Sequence, residues 1–245
     1  MAPTIHLVRH AQGVHNLSVE NESIRDPDLT TLGSSQCADL RTAFPYHDLV
    51  TRLVASPLRR TLATCVAAFG HDSLYPIVAL DVLQEVSDSP CDTGSSTQRL
   101  LDEFGGRVDL ARVSDGWTEK GAGSVFEPTL EKIAERARES RTALRALAGS
   151  GDDHVVVVSH GGMLHFLTDD WQGIPNGRAT GWDNCEYRSY QFADPSGADD
   201  EAALVETEES WRRRKLSTKP PSPTEQRELR AVMQDRVAPY LKIKA

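Results

Sequence analysis

Two histidines and two arginines, each close behind an apolar run, carry the chemistry this sequence can do. Arg9-His10 directly follows Ile5-His6-Leu7-Val8, and Ser159-His160-Gly161-Gly162 follows Val155-Val156-Val157-Val158. Between them, Leu53-Val54-Ala55 runs into Ser56-Pro57-Leu58-Arg59-Arg60-Thr61. A guanidinium offers a planar fork of donors matched to phosphate oxygens, and a neutral imidazole is a nucleophile. Cations and imidazoles converging at strand ends therefore point to a protein that handles a phosphoryl group. The Gly161-Gly162 step agrees, because it lets the backbone turn tightly near a ligand while its amides open the next helix at an anion-binding position.

The elements that must deliver these residues can be read from the same runs. Short β-branched segments without polar alternation suit strands buried on both faces of a parallel sheet. Strands are expected over 4–9, 51–55, 77–80, 155–159 and 186–192, and helices over 34–44, 58–69, 97–104, 127–148 and 161–168. Strand alternating with helix predicts a three-layer α/β fold, a mainly parallel central sheet with helices on both faces. Ligands of such folds sit at the carboxyl ends of the strands.

The same residues, with Gln12 and Asn16 after the first histidine and Leu83-Gln84-Glu85 further on, resemble the histidine phosphatase superfamily, the phosphoglycerate-mutase-like or RHG enzymes. The blocks stand in family order. Ala11 replaces the glycine usual after the first histidine, a change expected to tighten the loop and keep the site. The resemblance implies that His10 attacks phosphorus and becomes phosphohistidine, while Arg9, Arg60 and His160 hold the equatorial oxygens. Asn16 would donate a further hydrogen bond, and Gly161 would face the same group. Glu85 would protonate the departing oxygen and then activate water. Neither cofactor nor metal is implied, since arginine and histidine supply the positive charge. The sequence agrees in having no P-loop, no HExxH and no clustered aspartate ligands.

The expected activity is thus hydrolysis of a small phosphorylated metabolite. Three alternatives stand beside it. A phosphoglycerate-type mutase would usually show Glu-Arg-x-Tyr-Gly around its acid, whereas Glu85 here is followed by Val86-Ser87-Asp88. A phosphate-binding or scaffold protein with a degenerate site is opposed by intact Arg9, His10, Arg60, Glu85 and His160. Reuse of the pocket for non-phosphoryl chemistry on a specialised metabolite stays open, as does the identity of the substrate.

Several residues have ordinary readings of equal standing. His15 either lines the pocket or caps a turn, and Gln12 gives only a faint signal for substrate contact. Asp92 is a second acid in the site or a turn residue before Gly94-Ser95. His6 and His165 suit core positions, Arg59 a surface one, and Cys91 a buried thiol. Trp117 either stacks on a substrate body or packs within the segment 86–126, the long broken insertion where a lid or substrate loop is expected.

Composition bounds the rest. A formal charge of −9 over 245 residues argues against a general binder of nucleic acid or anionic membrane. Cys37, Cys65, Cys91 and Cys185 form no CxxC pair, and neither a leader nor a membrane-length apolar run is visible, so a reducing, cytoplasmic setting is expected. Nothing in the chain bears on oligomeric state. A catalytic domain is expected over 1–195, with 196–245 as a charged extension. There the basic run from Trp211 to Lys215 pairs with neighbouring acids or stays solvated, with a docking patch or a nuclear signal as the functional alternatives. Lys219-Pro220-Pro221-Ser222-Pro223 reads as a stiff spacer before a terminal helix from Thr224 to about Val237.

Overall fold

The computed structural model describes residues 2–149, 151–215 and 222–244. Its strands are β1 (Thr4–Arg9), β2 (Val50–Ala55), β3 (Ile77–Ala79), β4 (Val108–Asp109), β5 (His154–Ser159), β6 (Tyr187–Phe192) and β7 (Leu204–Glu206). Its α-helices are α1 (Thr31–Ala43), α2 (Arg59–Phe69), α3 (Thr97–Phe104), α4 (Leu130–Ala148), α5 (Gly161–Thr168), α6 (Glu208–Lys215) and α7 (Pro223–Val237). The strands make one sheet in the order β4-β3-β2-β5-β1-β6-β7. The first five in that order are parallel, and β6 and β7 join antiparallel.

The side chains of each central strand alternate between two cores. Val8, Leu53, Ala55, Val156 and Val158 pack under α1, α2 and α3 against Leu40, Leu62, Cys65, Phe69 and Phe104. Ile5, Leu7, Val54, Val155 and Val157 face the other way, onto Leu144 of α4 and Leu164 and Leu167 of α5. Both faces being buried explains why these strands read as largely apolar runs without polar alternation on a solvent face. The three-layer α/β fold expected from the sequence is the one observed.

Register sets the site. Val8 and Ala55 both lie level with Val158, so the residues that follow, Arg9-His10, Ser56 and Ser159-His160, leave the sheet at one edge. The sheet order places β5 between β1 and β2, and the crevice beyond their carboxyl ends is where open α/β sheets bind ligands.

The expected division at residue 195 does not fall on a break in packing. β7 extends the sheet beyond β6, and Met233, Val237 and Leu241 share a third core with Val86, Ile133, Met163 and Trp171. The basic run pairs within the fold. Arg214 bridges Asp170 and Glu206, Arg212 pairs with Glu208, and Arg213 lies 3.9 Å over the Tyr187 ring. Lys219, Pro220 and Pro221 of the expected spacer lie outside the described residues. No helix among the described residues is long and apolar enough to cross a membrane.

Candidate active site

His10 leaves β1 at the sheet edge, its backbone fixed from both sides. Its amide donates to Ser159 O at 3.0 Å, and Asn184 Nδ2 donates to its carbonyl at 2.9 Å. Its Nδ1 lies 2.7 Å from Ala11 O. A carbonyl only accepts, so Nδ1 carries the hydrogen and Nε2 keeps its lone pair. Ala11 is itself buried and tied to α2, its amide donating to Thr64 Oγ1 at 3.0 Å. Burial lowers the His10 pKa well below its ordinary value, aided by the charge of Arg60, and the ring is neutral.

Arg60, in the first turn of α2, joins the strand ends. Its Nε donates to His10 Nε2 at 3.3 Å and its Nη2 to His160 Nδ1 at 3.0 Å. The same guanidinium donates to Cys91 O at 2.6 Å and to Asp92 Oδ1 at 2.9 Å. Since His160 Nδ1 accepts, its Nε2 carries the hydrogen and donates to Ser56 Oγ at 2.9 Å. Burial, followed by the Arg60 charge, likewise lowers the His160 pKa well below its ordinary value. Arg59, one residue earlier, turns outward to Asp28 and Glu103.

Glu85 follows the 3-10 turn Asp81–Leu83 and faces the start of α5. Its Oε1 accepts from Met163 N at 2.9 Å and Val86 N at 3.0 Å, and its Oε2 from Gly162 N at 3.1 Å. The anion-binding helix start expected at Gly161-Gly162 thus receives a carboxylate of the chain itself. A Cβ on Gly162 would lie 2.6 Å from Glu85 Oε1, so only glycine admits this approach. Burial, then neighbouring Asp92, raises the Glu85 pKa against the pull of the amides and Arg60.

Asp92 has the opposite balance. Burial acts to raise it, but Arg60, Lys120 and the hydroxyl of Ser87, 2.5 Å from Oδ2, carry its pKa below the ordinary aspartate value. It is an ionised anchor for Arg60, neither a turn cap nor a protonated acid.

Arg9, His10, His15, Asn16, Glu85, Asp92 and Gly161 line one cavity of about 140 Å³. Arg60 and His160 stand behind His10, 1% and 0% exposed. Arg9 donates to Trp182 O, and its Nε is buried with no partner among the described residues. Asn16 Oδ1 accepts from Gly13 N at 3.0 Å, so Asn16 caps the turn and its Nδ2 is the end left for a ligand. His15 lines the cavity, its ring centroid 5.5 Å from that of His10 and its Nδ1 buried without a partner among the described residues. Burial above all, then Arg60, depresses its pKa to about 3.

Gln12 is corrected. It does not line the cavity; its carbonyl and Oε1 accept from Thr30, the N-cap of α1, and its amide donates to Gln36. Only the first part of 86–126 borders the cavity, through Val86, Ser87, Ser89, Cys91 and Asp92. Trp117 is buried against Gly94, where a Cβ would meet its ring at 1.9 Å. The rest of the insertion helps line a separate cleft of about 600 Å³ with Lys132 and Arg136, away from these histidines. His6 and His165 are buried and hydrogen-bonded in the core.

Two buried cations at Glu85 carry no signal in the sequence. Lys120 Nζ donates to Glu85 O at 3.0 Å and Ser87 O at 2.8 Å, and burial lowers its pKa to about 7. Arg136 Nη2 reaches Glu85 O at 3.4 Å. Neither stands in a motif, and only the fold brings them in. Tyr240, Leu241 and Lys242, distant in sequence and likewise without a local signal, also line the cavity. Among the described residues, no group of three or more His, Cys, Asp or Glu side chains is placed to hold a metal ion.

The site thus brings together a neutral imidazole whose Nε2 lone pair faces the Arg60 guanidinium, a buried arginine braced by a carboxylate, and a carboxyl of raised pKa. Residues 5–200 match the model of the histidine phosphatase superfamily, branch 1, and the chain belongs to that family. A phosphoglycerate mutase-like protein of Arabidopsis thaliana is 26% identical over 238 aligned residues, covering 78% of this chain and 84% of that one. A phosphoserine phosphatase from Entamoeba histolytica, solved with phosphoserine, superposes with a TM-score of 0.51 at 16% identity, covering 84% of this chain and 95% of its own. A mycobacterial glucosyl-3-phosphoglycerate phosphatase, solved with VO3, gives 0.51 at 22% identity, covering 83% and 96%.

Proposed function

We propose that this protein is a phosphomonoesterase that hydrolyses a small phosphate ester through a phosphohistidine on His10. The observation that carries this reading is the fixed tautomer of His10. Its Nδ1–H is spent on Ala11 O, which leaves Nε2 as the nucleophilic atom beside the Arg60 guanidinium.

The phosphoryl oxygens take over the donors that Arg60 gives to His10 and His160 here, together with Arg9 and Asn16. His10 Nε2 then attacks phosphorus as the bond to the alcohol oxygen breaks, and Glu85 gives that oxygen its proton. The ring gains positive charge in this step, and Ala11 O stabilises it through Nδ1–H. In the second half, Glu85 as carboxylate takes a proton from water while the water oxygen attacks phosphorus. The N–P bond breaks, His10 returns neutral, and inorganic phosphate leaves. The raised Glu85 pKa suits the first step, and the lowered Asp92 pKa keeps Arg60 braced throughout.

The relatives called phosphoglycerate mutase-like keep a transfer reaction as the second outcome. A panel of phosphomonoesters, followed for both inorganic phosphate and phosphoryl transfer to a second alcohol, separates the two. Wild type should form an acid-labile phosphoenzyme, and His10→Ala should lose at least about a thousandfold in turnover while keeping its fold. Near-normal activity in His10→Ala, or no phosphoenzyme in wild type, overturns the reading.

A further inference from the structure

The cavity's outer wall comes from beyond the family match. Tyr240, Leu241 and Lys242 line it, and independent contacts hold them there. Leu241 is buried, and a Cβ on Gly162 would lie 2.8 Å from its Cδ2. Lys244 N donates to Pro128 O at 2.7 Å, and Lys244 Nζ pairs with Asp88 at 2.6 Å. Between these anchors Lys242 has φ +52°, a left-handed conformation uncommon for a residue with a side chain. Its ammonium donates to Ser89 Oγ at 2.9 Å and pairs with Glu22. Glu22 and Ser89 both line the cavity themselves. The Lys242–Glu22 pair therefore ties the chain end to the loop after β1 at the edge of the site.

About 140 Å³ is well below the ~300–1,000 Å³ of pockets that enclose whole small molecules. With the phosphoryl group in the inner part, the alcohol part of a substrate extends toward the rim, where the Lys242 and Glu22 side chains keep 47% and 33% of their surface exposed. A neutral alcohol would part the two charges and give Lys242 no replacement. An alcohol bearing an anion offers Lys242 a new partner in place of Glu22.

We propose that Lys242 is a specificity-determining residue that selects phosphate esters carrying a second anionic group within a few bonds of the ester, with Glu22 occupying the ammonium until such a substrate takes it. The inference rests on the phosphatase reading. Phosphoglycolate and ethyl phosphate make the matched pair for its test, since they differ by one carboxylate. Wild type should favour phosphoglycolate in kcat/KM. Lys242→Gln should lower that preference about tenfold, the loss of one charge-assisted contact. Lys242→Arg should keep it, and Glu22→Gln, which removes the competing carboxylate, should raise it.

The opposite signs are the decisive readout. If Lys242 only fastened the chain end to Glu22, both Gln variants would lower activity on both esters alike, and that result overturns the proposal. An unchanged ratio in Lys242→Gln does the same. The phosphatase reading is tested separately, by the phosphoenzyme and the His10→Ala variant, and does not turn on whether wild type hydrolyses these two esters. If it hydrolyses neither, calorimetric binding of the two esters to wild type and Lys242→Gln decides the Lys242 assignment on its own, with a lost preference supporting it and an equal one sinking it.

Discussion

The carboxylate of Asp92 lies 2.9 Å from Nη2 of Arg60, and this buried pair holds the guanidinium against both His10 and His160. Removing one partner of a buried pair leaves the other charge without compensation, which typically costs about 3–5 kcal/mol. Asp92→Ala should therefore lower the urea-denaturation free energy by that order and reduce kcat/KM with it. Asp92→Asn keeps one acceptor for Nη2 and should cost less on both counts. An Asp92→Ala protein of wild-type stability would show that Arg60 is braced by other means.

The two adjacent arginines should separate cleanly. Arg60→Ala removes the donors that meet His10 and His160, in the proposed mechanism those that hold the phosphoryl oxygens, and should weaken vanadate binding roughly ten- to a hundredfold, by loss of charged hydrogen bonds. Arg59 instead pairs with Glu103 and Asp28 at the surface. Arg59→Ala should leave vanadate affinity alone. Similar affinities in the two variants would reverse the assignment of which arginine faces the site.

What was legible in the sequence followed the physics of the parallel sheet. Strands buried on both faces must be continuous apolar runs, so 5–8, 53–55 and 155–158 marked their own ends and the residues placed there. β4 has two residues and β7 three, too short to show a period, and both went unseen. α4 begins at Leu130, because Pro128 precedes the N-cap Thr129, whose side chain accepts from Lys132 N. Gln12 was misplaced because its neighbours His10 and Asn16 face the cavity, while its own side chain turns to Thr30. Lys120 and Lys242 had no local signal. Their positions depend on packing between segments far apart in the chain, which no window of sequence contains.

Acid should destabilise the protein through its buried histidines. His6, His10, His160 and His165 are all at most 2% exposed, and burial before any other cause lowers each pKa, to about 3 for His6 and about 4 for His165. A folded pKa below the unfolded value means the unfolded chain binds more protons once pH falls under 6.5. Stability is then fully present above that pH and is lost progressively below it. Each such histidine removes about 1.4 kcal/mol per pH unit, so four set an upper limit of about 5 kcal/mol per unit. Urea titrations at pH 7, 6 and 5.5 should show this steep fall, and a flat profile would mean that the rings are charged in the folded state.

Glu85 should reveal itself as the general acid through leaving-group dependence. An alkyl alcohol leaves poorly and needs the proton, whereas p-nitrophenolate leaves well without it. Glu85→Gln should therefore slow alkyl phosphate hydrolysis far more than the single-turnover burst of p-nitrophenolate as His10 is phosphorylated. The absolute rate is the weaker readout, because both carboxylate oxygens accept backbone amides at the start of α5. The amide NH2 of Gln would face one of those N–H donors, an unmet contact that should cost about 1–3 kcal/mol of stability on its own. A ratio between two substrates cancels that shared loss. Equal slowing of both would make Glu85 a residue that only orders the α5 N-terminus, and the proton would have to come from elsewhere. Asp92 could not supply it, since its lowered pKa keeps it ionised beside Arg60.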